Sequence, residues 1–212
     1  MRWIAFLLAL LMALLLAVPA EAVLSGRNGR IAFTSGREGA NDDLAQIYAI
    51  NPVNPQFGVG SPLSIPGVQN RHASWSPDRT KLVFASGSPG TLATEQYDLY
   101  VRDFTANPPT ITALDASEAL DNLSSDHPAW SPDGTRVAYE AQPVDNSTER
   151  DIKVKSVNTS ADGVNLTTAN AAPFQLKPAW SPDSTEIYFA SSPTPPPGAC
   201  LLYTSPSPRD RS

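Results

Sequence analysis

Three side chains that could bind a ligand stand at the same distance before a repeated tryptophan. His72, His127 and Lys177 each lie three residues before the tryptophan of a Trp-Ser-Pro-Asp phrase. Imidazole and ammonium groups donate hydrogen bonds to anions and to polar partners. We therefore predict that these three residues form a polar ligand-binding rim. The alternative is that they are ordinary solvated loop residues.

The sequence predicts no metal site and no cofactor. His72 and His127 belong to different repeat units, so we expect a whole unit to separate them. The aspartates of the repeated phrase, Asp78, Asp133 and Asp183, each stand alone, without the Asp-x-Asp-x-Asp-Gly cluster of a calcium loop. We expect these aspartates to close turns rather than to bind calcium.

No catalytic constellation emerges from the residue spacing. The sequence contains no Gly-x-Ser-x-Gly elbow, no His-x-x-x-His pair and no phosphate-binding glycine loop. Its 21 acidic residues outnumber its 15 lysines and arginines, and the formal net charge is −6. Because no basic cluster offsets this charge, we expect no nucleic-acid partner. The sequence favours a protein that is not an enzyme.

The repeated phrase itself predicts the architecture. It recurs at Trp75, Trp130 and Trp180, and a turn and a short apolar run ending in an aromatic residue follow each copy. Further strands are expected near residues 47–49, 99–101 and 152–154, with weaker ones near 62–65, 110–114 and 164–167. Four short antiparallel strands in a unit of about 50 residues are typical of a β-propeller blade. The fold class predicted is therefore all-β.

The tryptophans of the repeat have two possible roles. At equivalent places in successive blades, Trp75, Trp130 and Trp180 are expected to pack between blades, where a large ring fills the wedge. The alternative is that they stack against a sugar.

Both ends of the chain are set apart from the propeller, which is assigned to residues 26–199. Residues 1–22 have the basic start, apolar run and small-x-small ending of a signal peptide, and an uncleaved membrane anchor is the alternative. Residues 200–212 resemble the translation of an adaptor used in DNA sequencing libraries, so we expect a non-native tail. After signal cleavage, no stable membrane span is expected.

The pattern Pro-x-Trp-Ser-Pro-Asp followed by a short apolar strand resembles the WD-type repeat of TolB-like β-propellers. The resemblance covers roughly residues 27–192 and implies a ring that is usually six-bladed. About three and a half blades are recognisable here, so the resemblance implies a truncated ring. The small α/β domain that precedes the propeller in TolB is not recognisable, which puts TolB's own function in doubt.

Two functions are compatible with these features. The first is an exported, non-enzymatic propeller, periplasmic or secreted, that binds a protein or glycan partner in the cell envelope. The alternative is the gating propeller of a longer serine hydrolase that resembles prolyl oligopeptidase, with its catalytic domain missing from this sequence. A Gly-x-Ser-x-Gly elbow farther along the uninterrupted gene would distinguish the two.

Overall fold

The computed structural model describes residues 29–36, 44–52, 61–87, 96–114, 123–143, 149–168 and 174–193, together with the backbone of 201–206. Within these ranges every regular element is a β-strand. No helix in the described ranges has the length and apolarity to cross a bilayer. The predicted signal peptide, residues 1–22, lies outside the described residues.

The described strands form four antiparallel sheets of consecutive strands, which we call blades 1 to 4. Blade 1 contains β1 (Ile31–Ser35) and β2 (Gln46–Ile50). Blade 2 contains β3 (Asn70–Trp75), β4 (Lys81–Gly87), β5 (Tyr97–Asp103) and β6 (Thr110–Ala113). Blade 3 contains β7 (Leu123–Trp130), β8 (Arg136–Pro143), β9 (Asp151–Ser156) and β10 (Val164–Asn165). Blade 4 contains β11 (Phe174–Trp180), β12 (Glu186–Ser192) and β13 (Leu201–Pro206).

The inner strand of each of blades 2, 3 and 4 is the one that ends in the repeated tryptophan. The strands β3, β7 and β11 each begin a blade, and β7 contacts both β3 and β11 across the blade boundaries. Strands at one end of their sheets that also touch across sheets surround the axis of a propeller. The structure thus confirms the predicted all-β, partial β-propeller with its inner strands at the axis.

The hydrophobic core lies between blades rather than inside one of them. Val83 and Leu99 of blade 2 pack in one cluster with Val137 and Tyr139 of blade 3. The middle strands β4 and β8 contribute apolar side chains on both faces, and Tyr139 is completely buried. Burial on both faces explains why these strands have continuous apolar runs instead of an alternating pattern.

The predicted weak strand at residues 62–65 is wrong. This segment runs beside β2 through one backbone hydrogen bond, from Leu63 N to Ile47 O at 2.7 Å. The amide of Ile47 instead donates to the side chain, Ser64 Oγ, at 2.9 Å. A hydroxyl therefore replaces the backbone acceptor that a strand would supply. The other two weak strands form, as β6 and β10.

The segment 201–206 pairs with β12 as the third strand of blade 4. This is the position where the repeat requires its next strand. The adaptor origin expected for residues 200–212 stays a prediction.

Candidate functional site at the inner rim

Each of the three inner strands carries a β-bulge at the same place. The register shifts between Arg71 and Ser74, between Asp126 and Ala129, and between Leu176 and Ala179. His72, His127 and Lys177 lie inside these bulges with φ of 50°, 46° and 53°. Such left-handed backbone is uncommon outside glycine, and a bulge redirects the side chain that it carries. We call His72, His127 and Lys177 the inner rim.

The bulges bring the two histidines of the inner rim into direct contact. The ring centroids of His72 and His127 are 3.6 Å apart, and the ring planes differ by 21°. The expectation that a whole blade would separate them is therefore wrong. Residues at equivalent positions near a propeller axis are close neighbours, because the blades converge there.

One buried carboxylate lies beside both histidines. Asp126 Oδ1 is 2.7 Å from His72 Nδ1 and accepts the backbone N–H of His127 at 2.8 Å. Asp126 Oδ2 forms an ion pair with Arg71 at 2.7 Å. Burial raises the pKa of Asp126, but the hydrogen bond from His72 and the positive charge of Arg71 outweigh it and lower that pKa. Asp126 therefore links blade 2 to blade 3 as an ionised group.

A second carboxylate, Glu140, connects blade 3 to blade 4. Glu140 is the register partner of Asp126 in the pairing of β7 with β8. Its Oε1 accepts the backbone N–H of Lys177 at 2.7 Å, and its Oε2 lies 3.5 Å from the guanidinium of Arg150. Only 3% of the Glu140 side chain is exposed. Two carboxylates thus lie directly opposite one another beneath the inner rim.

His72, Lys177 and Arg71 are more exposed to solvent than the carboxylates beneath the inner rim. The exposed fraction is 39% for the His72 side chain and 12% for that of Asp126, and Lys177 is exposed. Arg71 also packs its guanidinium over the ring of Tyr97, 3.6 Å from the ring centroid. A ligand approaching from solvent therefore meets hydrogen-bond donors first, in a protein whose net charge is negative.

The aspartates of the repeated phrase close their turns. Asp133 Oδ1 accepts from Ser131 Oγ at 2.6 Å and from the Thr135 amide at 2.9 Å. Asp78 and Asp183 accept from the equivalent serines and threonines of their own turns. Each aspartate therefore accepts hydrogen bonds within its own turn.

The tryptophans of the phrase lie at blade boundaries. Trp130 belongs to the cluster between blades 2 and 3, and it is 8% exposed. Trp180 donates from Nε1 to Ala129 O of blade 3 at 3.0 Å. Trp75 packs against the cluster that contains Ile47 of blade 1 and Phe84 of blade 2.

Sequence reasoning missed the partners of the inner rim. No repeated residue type marks these partners, which are Arg71, Asp126 and Glu140. Arg71 and Asp126 each directly precede a histidine, but the residue before Lys177 is the apolar Leu176. The one available signal was adjacency: a charged residue directly precedes each of the two histidines.

Comparison with known proteins identifies the fold. No family model and no curated protein matches the chain. TolB from Acinetobacter baumannii matches with a TM-score of 0.57 at 16% identity, over 92% of this chain and 42% of that one. Prolyl oligopeptidase B from Galerina marginata matches with 0.56 at 14%, over 84% and 27%. Oligogalacturonate lyase from Vibrio parahaemolyticus matches with 0.54 at 13%, over 85% and 47%.

This chain spans less than half the length of each of these solved structures. At such low identity the likeness concerns the fold and leaves activity open. Its repeated inner strands, meander blades and interblade core are those of a TolB-like β-propeller, and the chain has that fold.

Proposed function

We propose that this chain is part of an exported, non-enzymatic β-propeller that binds a protein or glycan partner at its inner rim. The observation that carries the proposal is the bulge repeated in β3, β7 and β11, which places His72 against His127 and Lys177 at the equivalent position of the next inner strand. Because the β-bulge occurs at the same position in three blades, the side chains that it carries lie on one common surface. Export rests on the signal-like residues 1–22.

The charge distribution favours a partner that carries carboxylates. His72 and Lys177 are exposed to solvent at the inner rim, whereas Asp126 and Glu140 are buried and already paired. Donors of this kind recognise the carboxylates of acidic peptides and of uronic-acid sugars. The same fold occurs in TolB and in an oligogalacturonate lyase, an enzyme named for an acidic sugar.

Isothermal titration of the full chain with a poly-glutamate peptide and with an oligogalacturonate tests the proposal. We expect one of these probes to bind and Lys177→Gln to weaken that binding about fivefold, which is about 1 kcal/mol. Lys81→Gln is the matched control, because Lys81 pairs with Asp103 on the surface and lies outside the inner rim. The proposal would be refuted if neither probe binds. It would also be refuted if Lys177→Gln and Lys81→Gln weaken binding equally.

The alternative function is the gating propeller of a longer serine hydrolase. The match to prolyl oligopeptidase B, of which this chain covers 27%, supports it. Sequencing the uninterrupted gene tests it directly: a Gly-x-Ser-x-Gly elbow after the remaining blades is expected for the hydrolase. A gene that ends with the propeller rules the hydrolase out.

A further inference from the structure

Two imidazoles and one carboxylate from neighbouring blades converge at the inner rim. His72, Asp126 and His127 each offer a ligand atom, and these atoms all lie within 4.8 Å of one another. We call these three residues the His–Asp–His cluster. Neutral imidazole together with carboxylate is a donor set that binds divalent first-row transition metals.

One nitrogen of the cluster lacks a hydrogen-bond partner. His127 Nδ1 is buried and has no hydrogen-bond partner. It lies 3.1 Å from Glu140 Oε1 and 3.5 Å from Asp126 Oδ2, but neither contact has hydrogen-bond geometry. If His127 Nδ1 carries a lone pair, that lone pair faces two carboxylates. If it carries a hydrogen, that N–H has no aligned acceptor. A cation beside His127 Nδ1 would give this nitrogen a partner, while the two oxygens keep their contacts with the Lys177 amide and with Arg71.

Two of the three nitrogen–oxygen separations at the cluster are close to those around a small metal ion. In a tetrahedral zinc site with bonds of about 2.0–2.1 Å, neighbouring ligand atoms lie about 3.3–3.4 Å apart. The corresponding nitrogen–oxygen separations here are 2.7 Å from His72 to Asp126, 3.1 Å from His127 to Glu140 and 3.5 Å from His127 to Asp126. His127 is therefore already at ligand distance from both carboxylates, whereas His72 and Asp126 are hydrogen-bonded and must move apart to share an ion.

One adjustment is needed for both rings to bind a single ion. Because the ring planes differ by only 21°, the in-plane lone pairs of His72 and His127 run side by side instead of converging. The His72 side chain is 39% exposed, so its ring has room to rotate. Rotations of this kind are common when a ligand binds.

We propose that His72, Asp126 and His127 bind a divalent transition-metal ion, represented by Zn²⁺, with Glu140 in reach as a fourth ligand. Binding at Nδ1 requires the neutral His72 ring to carry its proton on Nε2, so the hydrogen bond from His72 to Asp126 is given up while Arg71 keeps its ion pair with Asp126. The site goes beyond the proposed function, because metal binding needs no partner. Its failure would leave the tests with acidic probes unaffected.

The wild-type chain allows a direct test, since His72 and His127 are its only two histidines. Zn²⁺ alone is titrated into ¹⁵N-labelled full chain, and the imidazole nitrogen resonances are followed by NMR. We expect both histidines to shift together at one equivalent of Zn²⁺, and the shifts to reverse as acid protonates the rings. A shift of one histidine alone, or of neither, overturns the proposal.

Matched variants locate the ligands. His72→Asn and His127→Asn keep a residue that tolerates left-handed backbone but remove the imidazole. Each is expected to weaken Zn²⁺ binding at least tenfold in calorimetry, with an unchanged far-UV circular dichroism spectrum. Glu186→Gln, an exposed carboxylate paired with Tyr188, is the control and keeps wild-type affinity. Equal affinity in all variants overturns the proposal. If a variant fails to fold, the NMR result on the wild-type protein decides instead.

Discussion

His72 and His127 lie face to face with 3.6 Å between their ring centroids, although each belongs to a different blade. The ionised Asp126 lies beside both rings, 2.7 Å from His72 Nδ1 and 3.5 Å from His127 Nδ1. The same carboxylate holds Arg71. The boundary between blades 2 and 3 at the axis is therefore organised around one buried anion.

Replacing that anion is expected to destabilise the propeller. In Asp126→Asn, the amide keeps one acceptor but turns an NH₂ group toward the guanidinium of Arg71. We expect the free energy of unfolding to fall by about 2–3 kcal/mol, because the buried carboxylate that pairs with Arg71 is lost. Urea unfolding measures the change. Asp103→Asn, which disrupts the exposed pair with Lys81, is expected to have a much smaller effect. Equal effects in the two variants would contradict the role of Asp126.

The interblade hydrogen bond of Trp180 distinguishes it from Trp75. Trp180→Phe removes the 3.0 Å bond to Ala129 O and weakens the stacking with Arg136, so we expect a loss of about 1–2 kcal/mol. Trp75→Phe makes the same change in side-chain size, but the Nε1 of Trp75 has no hydrogen-bond partner. We therefore expect Trp75→Phe to cost less in thermal unfolding. A larger loss in Trp75→Phe would be inconsistent with this assignment.

The last position of the repeated turn requires left-handed backbone. Gly134 has φ of 73°, and an added Cβ would lie 3.3 Å from Pro77 Cγ. Gly134→Ala is expected to lower stability by about 1–2 kcal/mol. Arg79 occupies the equivalent position with φ of 62°, so Arg79→Gly is the matched reverse change. We expect it to leave stability within about 0.5 kcal/mol or to increase it. Equal destabilisation by both changes in urea would argue against a backbone cause.

Because of the turn aspartates, the free energy of unfolding depends on pH. Burial raises the pKa of Asp133, but hydrogen bonds from Ser131 and Thr135 and the charge of Arg136 outweigh it and lower the pKa to about 2. Because the folded-state pKa lies below the unfolded one, this contribution is full at neutral pH and is lost as the pH falls from about 5 toward 2. Asp133→Asn is expected to reduce the loss of stability in that window. Urea midpoints that fall equally in the variant and the wild type would disprove the assignment.

The sequence was sufficient for the elements that depend on local pattern. Apolar runs after each turn predicted β4, β8 and β12, because strands buried on both faces need continuous apolar residues. The strand expected at 62–65 failed because Ser64 supplies a side-chain acceptor where a strand needs a backbone one. That competition is invisible to a pattern of apolar residues.

The candidate site was only half predictable. Equivalent spacing identified His72, His127 and Lys177, but left-handed backbone at these non-glycine residues has no sequence signal. Asp126 and Glu140 meet the inner rim through the pairing of β7 with β8 and through contacts between blades. Such contacts depend on how neighbouring blades pack around the axis, which no local spacing reports.

The measurement that tests the inner rim most directly is an NMR titration of the wild-type chain with the acidic probe that binds in calorimetry. The chain contains two histidines, both in the inner rim, so their imidazole resonances report on this surface alone. We predict that both resonances shift, with a dissociation constant equal to the calorimetric one. Binding of the probe with neither histidine shifted would contradict the account.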